Sequence, residues 1–170
     1  ELEAGLAQVM PGITTLHQLP TMTPNGDYAG EQAQNMAYIM QTAEGKIIVI
    51  DGGRRGNEAL YLLSYLRNLT GKEVPHVDAW IHTHAHSDHV YAYLDIAQKY
   101  PNSITVDRLY CNYPTVSEIN TYCADNNPAS MNAAIQSVYD ATKLLKNAQG
   151  GPVEILELNS RHTGKCNSTF

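Results

Sequence analysis

The sequence predicts an α/β protein in which helices layer on a sheet. Three features carry the prediction. Strand-like and helical patterns alternate along the chain from residue 34 onward. The run Ile47-Ile48-Val49-Ile50 is continuously β-branched, as in a strand covered on both faces. With 170 residues, 43% of them hydrophobic and 16% charged, the chain can bury one core and reads as a single domain over residues 1–170.

Residues 1–30 are rich in Pro, Gly and Thr and show no period, so they read as an irregular arm with a short strand near residues 13–17. Residues 34–41 and 46–51 read as two strands, with turn chemistry between them at Ala43-Glu44-Gly45. The second strand ends in Asp51-Gly52-Gly53, a sharp exit. Over residues 57–69, Ala59, Leu62, Leu63, Leu66 and Leu69 recur at helical spacing, and Gly71 supplies a C-terminal cap. Pro75 restarts the chain, and residues 77–82 read as a strand. A second helix runs from Ser87 or Asp88 to Tyr100 and is stopped by Pro101-Asn102. Residues 104–111 read as a strand, and residues 112–130 as a long polar connection holding Pro114, Asn126, Asn127 and Pro128. A third helix presents Met131, Ala134, Ile135, Val138 and Leu145 on one face and ends at Gly150-Gly151-Pro152. Residues 153–158 form the last strand. Three helices cover one face of such a sheet, and the other face has no evident partner in this sequence.

Composition excludes several classes. Eleven Lys and Arg against seventeen Asp and Glu leave a net charge of -6, so the chain has no overall attraction to nucleic acid or anionic lipid. Arg54-Arg55 and the stretch 161–165 are locally basic and read as solvated surface. No apolar run approaches the roughly 20 residues of a membrane span. Cys111, Cys123 and Cys166 form no Cys-x-x-Cys pair, which argues against a zinc ribbon or a thioredoxin motif. Cys111 and Cys123 could form one disulfide in an exported protein. Eleven Tyr and few Lys lean toward export from a bacterium over the cytoplasm. Asn68-Leu69-Thr70 and Asn167-Ser168-Thr169 match the glycosylation acceptor pattern, as chance tripeptides often do.

The informative segment is Ile81-His82-Thr83-His84-Ala85-His86-Ser87-Asp88-His89. Imidazole and carboxylate are the ligands of zinc and related divalent metals. His84 and His86 are two apart and point to one side of an extended segment. Asp88 and His89 fall where a helix begins, and Asp is favoured there by the helix dipole. One strand-to-helix loop can thus offer two His to one metal and an Asp and a His to another. Paired metals roughly 3.5–4 Å apart can hold a bridging hydroxide. A lone His is ordinarily surface or core. Four clustered His in the order His-x-His-x-Asp-His, between a strand and a helix, make that reading weak.

Thr83-His84-Ala85-His86-Ser87-Asp88-His89, with Asp51-Gly52-Gly53 about thirty residues upstream, resembles the motif pair of the metallo-β-lactamase-fold hydrolases. The resemblance implies an αββα sandwich, two metal ions, and a metal-bound hydroxide that attacks its substrate. It implies His84 and His86 at one metal, and Asp88 and His89 at the other. Asp88 would also hold the nucleophile and shuttle a proton. Asp51 and Thr83 would stand behind the ligands and steady the loop. The metals implied are zinc, with manganese, iron or nickel as alternatives. Residues 34–51 and the Asn167-Ser168-Thr169 ending are most similar to the hydrolase domain of bacterial competence (DNA-uptake) proteins. His82 has no role in that pattern and reads as a strand-face residue.

Members of that family are longer and fold as two similar αββα halves, so the chain is expected to hold the first half plus a short extension, truncated at its C-terminus. The later motifs of the family, a Gly-Asp and a final His, have no match. His162 is the single His after His89 and could serve as a further ligand, in a context that departs from the family's. The exposed sheet face would then be covered by the missing half or by another copy of the chain. The function implied is a metal-dependent hydrolase acting on an ester, lactone, amide or phosphodiester. The alternative is a catalytically incomplete metal-binding or interaction module. A barrel hydrolase using a His-x-His strand is disfavoured, because only about 80 residues lie on either side of the motif.

Overall fold

A computed structural model describes residues 12–21, 35–122 and 127–158. Most of the irregular arm, Cys123, His162, the basic stretch 161–165, Cys166 and the Asn167-Ser168-Thr169 tripeptide lie outside the described residues.

The elements are β1 (Thr15–Gln18), β2 (Ala37–Gln41), β3 (Ile47–Asp51), α1 (Asn57–Thr70), β4 (His76–Val77), β5 (Ala79–His82), α2 (Ser87–Lys99), β6 (Thr105–Val106), β7 (Arg108–Cys111), α3 (Val116–Tyr122), α4 (Pro128–Thr142) and β8 (Glu154–Glu157). Six strands form one sheet in the order β1-β2-β3-β5-β7-β8, and β4 and β6 form a separate parallel pair. The edge β1-β2-β3 is antiparallel, and β3, β5, β7 and β8 run parallel. The hairpin between β2 and β3 closes at the expected turn, where Gly45 takes a φ of 83° and its N–H donates to the Thr42 carbonyl at 2.8 Å.

The two sheet faces differ. Ile47, Val49, Trp80, Leu109 and Cys111 point toward the helices and share one core with Leu62, Leu63 and Leu66 of α1, Tyr93, Leu94 and Ile96 of α2, and Ile135 and Val138 of α4. Ile48, Ala79 and Tyr110 form a second cluster on the opposite face with partly buried Met40, Ile50, Ile81 and Leu156, all of them strand residues. That face is less enclosed than the helix face, as the helix count implies. Gly71 caps α1 in the left-handed region at a φ of 65°, with its N–H donating to the Arg67 carbonyl.

Three expectations need correction. The strands expected over 77–82 and 104–111 are each interrupted, at Asp78 and at Asp107. Each aspartate turns a carboxylate onto a neighbouring backbone: Asp78 accepts from the Ile47 N–H at 2.9 Å and Asp107 from the Ala148 N–H at 3.1 Å. Apolar periodicity does not show such a side-chain-to-backbone bond. The connection expected over 112–130 contains α3. Its apolar content is thin, yet Thr115 and Glu118 form a reciprocal capping box: the Thr115 N–H donates to Glu118 at 2.7 Å and the Glu118 N–H to Thr115 Oγ1 at 3.3 Å. The last helix starts earlier and stops at Thr142, so Leu145 is buried from the segment beyond it rather than from its face.

Candidate metal centre

The histidine loop leaves the C-terminal end of β5 and enters α2. Parallel pairing of β3 with β5 aligns Ile48 with Ala79 and Ile50 with Ile81, so Asp51 at the end of β3 comes within reach of Thr83, the residue that follows β5. Asp51 holds a φ of 57°, a left-handed conformation that short polar side chains tolerate better than branched ones, and it is fully buried. Its backbone carbonyl accepts from Trp80 Nε1 at 2.6 Å. Gly53, with a φ of 87°, follows at the exit. A Cβ there would run into Asn35 Oδ1 and Glu58 Oε2, so the tight passage requires glycine.

The Asp51 carboxylate gathers the loop. It accepts from the Thr83 N–H at 2.8 Å, from the Thr83 hydroxyl at 2.8 Å, and from His89 Nδ1 at 2.8 Å. A carboxylate only accepts, so His89 carries its proton on Nδ1 and leaves Nε2 bare. The Thr83 hydroxyl has spent its hydrogen on Asp51. Its oxygen can therefore only accept from His84 Nδ1, 3.1 Å away, which leaves Nε2 of His84 bare as well. Two imidazoles are thus held in the tautomer that a metal ligand needs, by partners on the far side of each ring.

The remaining predicted residues converge on the same place. The His84 ring centroid lies 3.8 Å from that of His89 and 4.5 Å from that of His86. Asp88 Oδ2 lies 3.7 Å from His89 Nε2. Burial and the neighbouring imidazoles of His89 and His86 push the His84 pKa down, toward the neutral form that binds metal. The chemistry of the donor set, imidazoles and a half-buried carboxylate on one loop, suits a divalent cation. Among the described residues, the three whose ligand atoms already lie within 4.8 Å of one another are His76, Asp78 and Asp107, away from this loop. His162, the further candidate, lies outside the described residues.

His82 is a strand-face residue as expected, buried on the helix side. Its ring meets Tyr93 edge-on at 4.7 Å, and its Nδ1 lies 2.6 Å from the Tyr113 hydroxyl. Burial drives its pKa down to about 3, so it stays neutral behind the loop.

Other residues support the site without having been singled out in the sequence. Asp95, buried among the apolar residues of α2, accepts from the Gly56 N–H at 2.8 Å and pairs with Lys99 at 2.8 Å and Arg55 at 3.5 Å. It tethers the 53–56 loop to α2. An aspartate flanked by Leu94 and Ile96 in a helix interior was the available signal. Arg55 is exposed, but it also lies over the Tyr91 ring at 4.5 Å, so the surface reading of Arg54-Arg55 holds for Arg55 only in part. Cys111 is a free buried thiol rather than half of a disulfide.

Among the described residues, no helix is long and apolar enough to cross a membrane. A family model described as the metallo-beta-lactamase superfamily matches residues 30–122, more than half of the chain. No match is found among curated proteins. One similar solved structure is described as "Crystal Structure of a New Diphosphatase from the PhnP Family", at 18% identity and a TM-score of 0.43, over 86% of this chain and 51% of that one. The chain therefore spans about half the length of that protein.

Proposed function

Because the chain belongs to the metallo-beta-lactamase superfamily, we propose that it contributes the metal-binding loop of a metal-dependent hydrolase, with His84, His86, Asp88 and His89 as ligands. The observation that carries the reading is the pinned tautomer of His84 and His89, each with Nδ1 engaged by Thr83 or Asp51 and Nε2 left bare. A divalent metal held there would acidify a water and place it for attack on an electrophilic carbonyl or phosphoryl centre.

The chain's own residues do the positioning. Asp51 and Thr83 fix the two rings before any metal arrives. Asp88, in the first turn of α2 and half-buried, is the one carboxylate of the loop placed to accept a proton from a reacting water. His82 is neutral and enclosed, and lends the back of the loop an uncharged wall. Zinc is the first candidate for this donor set, with manganese, iron and nickel behind it, and two ions suit the His-x-His and Asp-His halves of the loop. The substrate class is as broad as ester, lactone, amide or phosphodiester.

The test is metal content of the chelator-dialysed, reloaded protein by mass spectrometry, beside turnover of p-nitrophenyl acetate and bis-p-nitrophenyl phosphate, with His86→Ala as control. One to two metals per chain and turnover, both lost in the control, support the hydrolase. Metal without turnover favours the alternative of a non-catalytic metal-binding module. No metal in the folded protein overturns the assignment of the loop.

A further inference from the structure

The opposite end of the parallel sheet carries a second set of ligand-type side chains. His76 and Asp78 flank Val77 of β4, and Asp107 follows β6. His76 Nε2 lies 3.3 Å from Asp107 Oδ2 and 3.8 Å from Asp78 Oδ1. One ligand atom from each of the three residues lies within 4.8 Å of the other two. The four-residue strand β5 lies between Asp78 and Thr83, so over five steps of about 3.3 Å each this cluster sits roughly 16 Å from the histidine loop.

Each member is held from behind. His76 Nδ1 lies 3.1 Å from Thr105 Oγ1, its partner across the β4–β6 pair. Asp78 Oδ2 accepts from the Ile47 N–H, and Asp107 Oδ1 from the Ala148 N–H. These contacts leave His76 Nε2, Asp78 Oδ1 and Asp107 Oδ2 facing one another. In the tautomer whose Nδ1–H is donated to Thr105 Oγ1, Nε2 carries a lone pair for a metal. The arrangement repeats the outer support seen at metal-binding histidines.

The distances separate two explanations. A charged imidazolium–carboxylate hydrogen bond closes to about 2.7–2.9 Å, and one N–H can serve only one of the two carboxylates. The observed 3.3 and 3.8 Å are long for that bond. Zinc binds imidazole nitrogen and carboxylate oxygen at about 2.0–2.2 Å in a tetrahedron, which sets neighbouring ligand atoms about 3.3–3.6 Å apart. The His76–Asp107 spacing falls in that second range, and the His76–Asp78 spacing lies just beyond it. Two carboxylates and an imidazole with ligand atoms within 4.8 Å of one another are also a donor set that suits one cation.

We propose that His76, Asp78 and Asp107 form a binding site for one divalent cation of the zinc type, completed by water. One imidazole among oxygens favours zinc or a similar borderline ion over magnesium. The ion would clasp β4 to β6 and tie both to β3 and to the segment at Ala148, a stabilising role apart from the histidine loop.

The test uses a His84→Ala/His86→Ala background, in which both residues changed lie on the half-exposed loop and the clasp is intact. Calorimetric titration with Zn²⁺, the absorption spectrum with Co²⁺, and the melting temperature are followed after chelator dialysis. The expected result is about one Zn²⁺ per chain with a rise in melting temperature. Adding His76→Ala or Asp107→Asn should weaken binding at least tenfold and abolish the rise, with circular dichroism unchanged. A background that binds no Zn²⁺, or a His76→Ala chain that binds as tightly as its parent, overturns the proposal. In the unaltered chain, the His76 Nε2 resonance should move on adding Zn²⁺, and an unmoved resonance overturns it too. Failure of the histidine loop would show on the His84, His86 and His89 resonances instead, so the two readings are tested separately.

Discussion

Replacing Asp51 by Asn changes one oxygen for an NH2 group at the point where three donors meet. Asn suits the left-handed backbone at residue 51 as well as Asp does, so the change isolates the side chain. The remaining oxygen can keep the Thr83 N–H at 2.8 Å. The Thr83 hydroxyl can rotate and accept. His89 cannot adapt so freely: its Nδ1–H, 2.8 Å from the old carboxylate, would face another donor. Either that bond is lost, at about 1.5–3 kcal/mol for a charge-assisted buried bond, or His89 moves its proton to Nε2. The second outcome spares stability but blocks the nitrogen needed for a metal. We expect a stability loss of about 1.5–3 kcal/mol by urea unfolding, a tautomer change at His89 in its ring ¹⁵N shifts, or a share of each. Zinc affinity by chelator competition should fall about 10–100-fold, the usual effect of losing a partner behind a ligand. Asp51→Ala should cost more stability, about 3–5 kcal/mol, because it leaves all three donors unmatched. An Asp51→Asn protein with unchanged unfolding energy, an unchanged Nδ1–H tautomer and unchanged zinc affinity would refute the argument that Asp51 sets His89.

Further expectations are simpler. Leu66 is fully buried between α1 and the sheet, so Leu66→Ala should lower urea-unfolding stability by about 2–5 kcal/mol. Gly53→Ala should be more damaging than Gly71→Ala in thermal melts: both residues have positive φ, but the added methyl meets Asn35 and Glu58 at Gly53 and open space at Gly71, where about 1 kcal/mol is expected. Burial raises the Cys111 thiol to about 11, so the folded state holds its proton longer than the unfolded chain. Its contribution is complete below the unfolded pKa near 9 and is lost as pH rises toward 11, at up to about 1.4 kcal/mol per pH unit. Unfolding followed across that range in the parent and in Cys111→Ser should show a steeper decline in the parent, and a thiol reagent at pH 8 should reach Cys111 only after unfolding.

Much of this molecule is legible from residue order alone. The α/β class follows from the alternation of periods, and the helices over residues 57–70 and 87–99 from apolar spacing with Gly71 and Pro101 as punctuation. The histidine loop is legible because its candidate ligands lie within six residues of one another, so local geometry alone brings them close. Where tertiary structure decided the outcome, a distant partner was involved. Asp78 and Asp107 break their strands because each bonds a backbone N–H more than thirty residues away, a contact that no local pattern encodes. Asp107 meets His76 only because β4 and β6 pair in parallel. Asp51 reaches Thr83 and His89 only through the β3–β5 register, and the bare nitrogens of His84 and His89 follow from that meeting. Sequence specifies which groups are present and how neighbours along the chain are spaced. The protonation pattern that makes those groups usable depends on which donor stands behind each acceptor, and the packing of the sheet decides that.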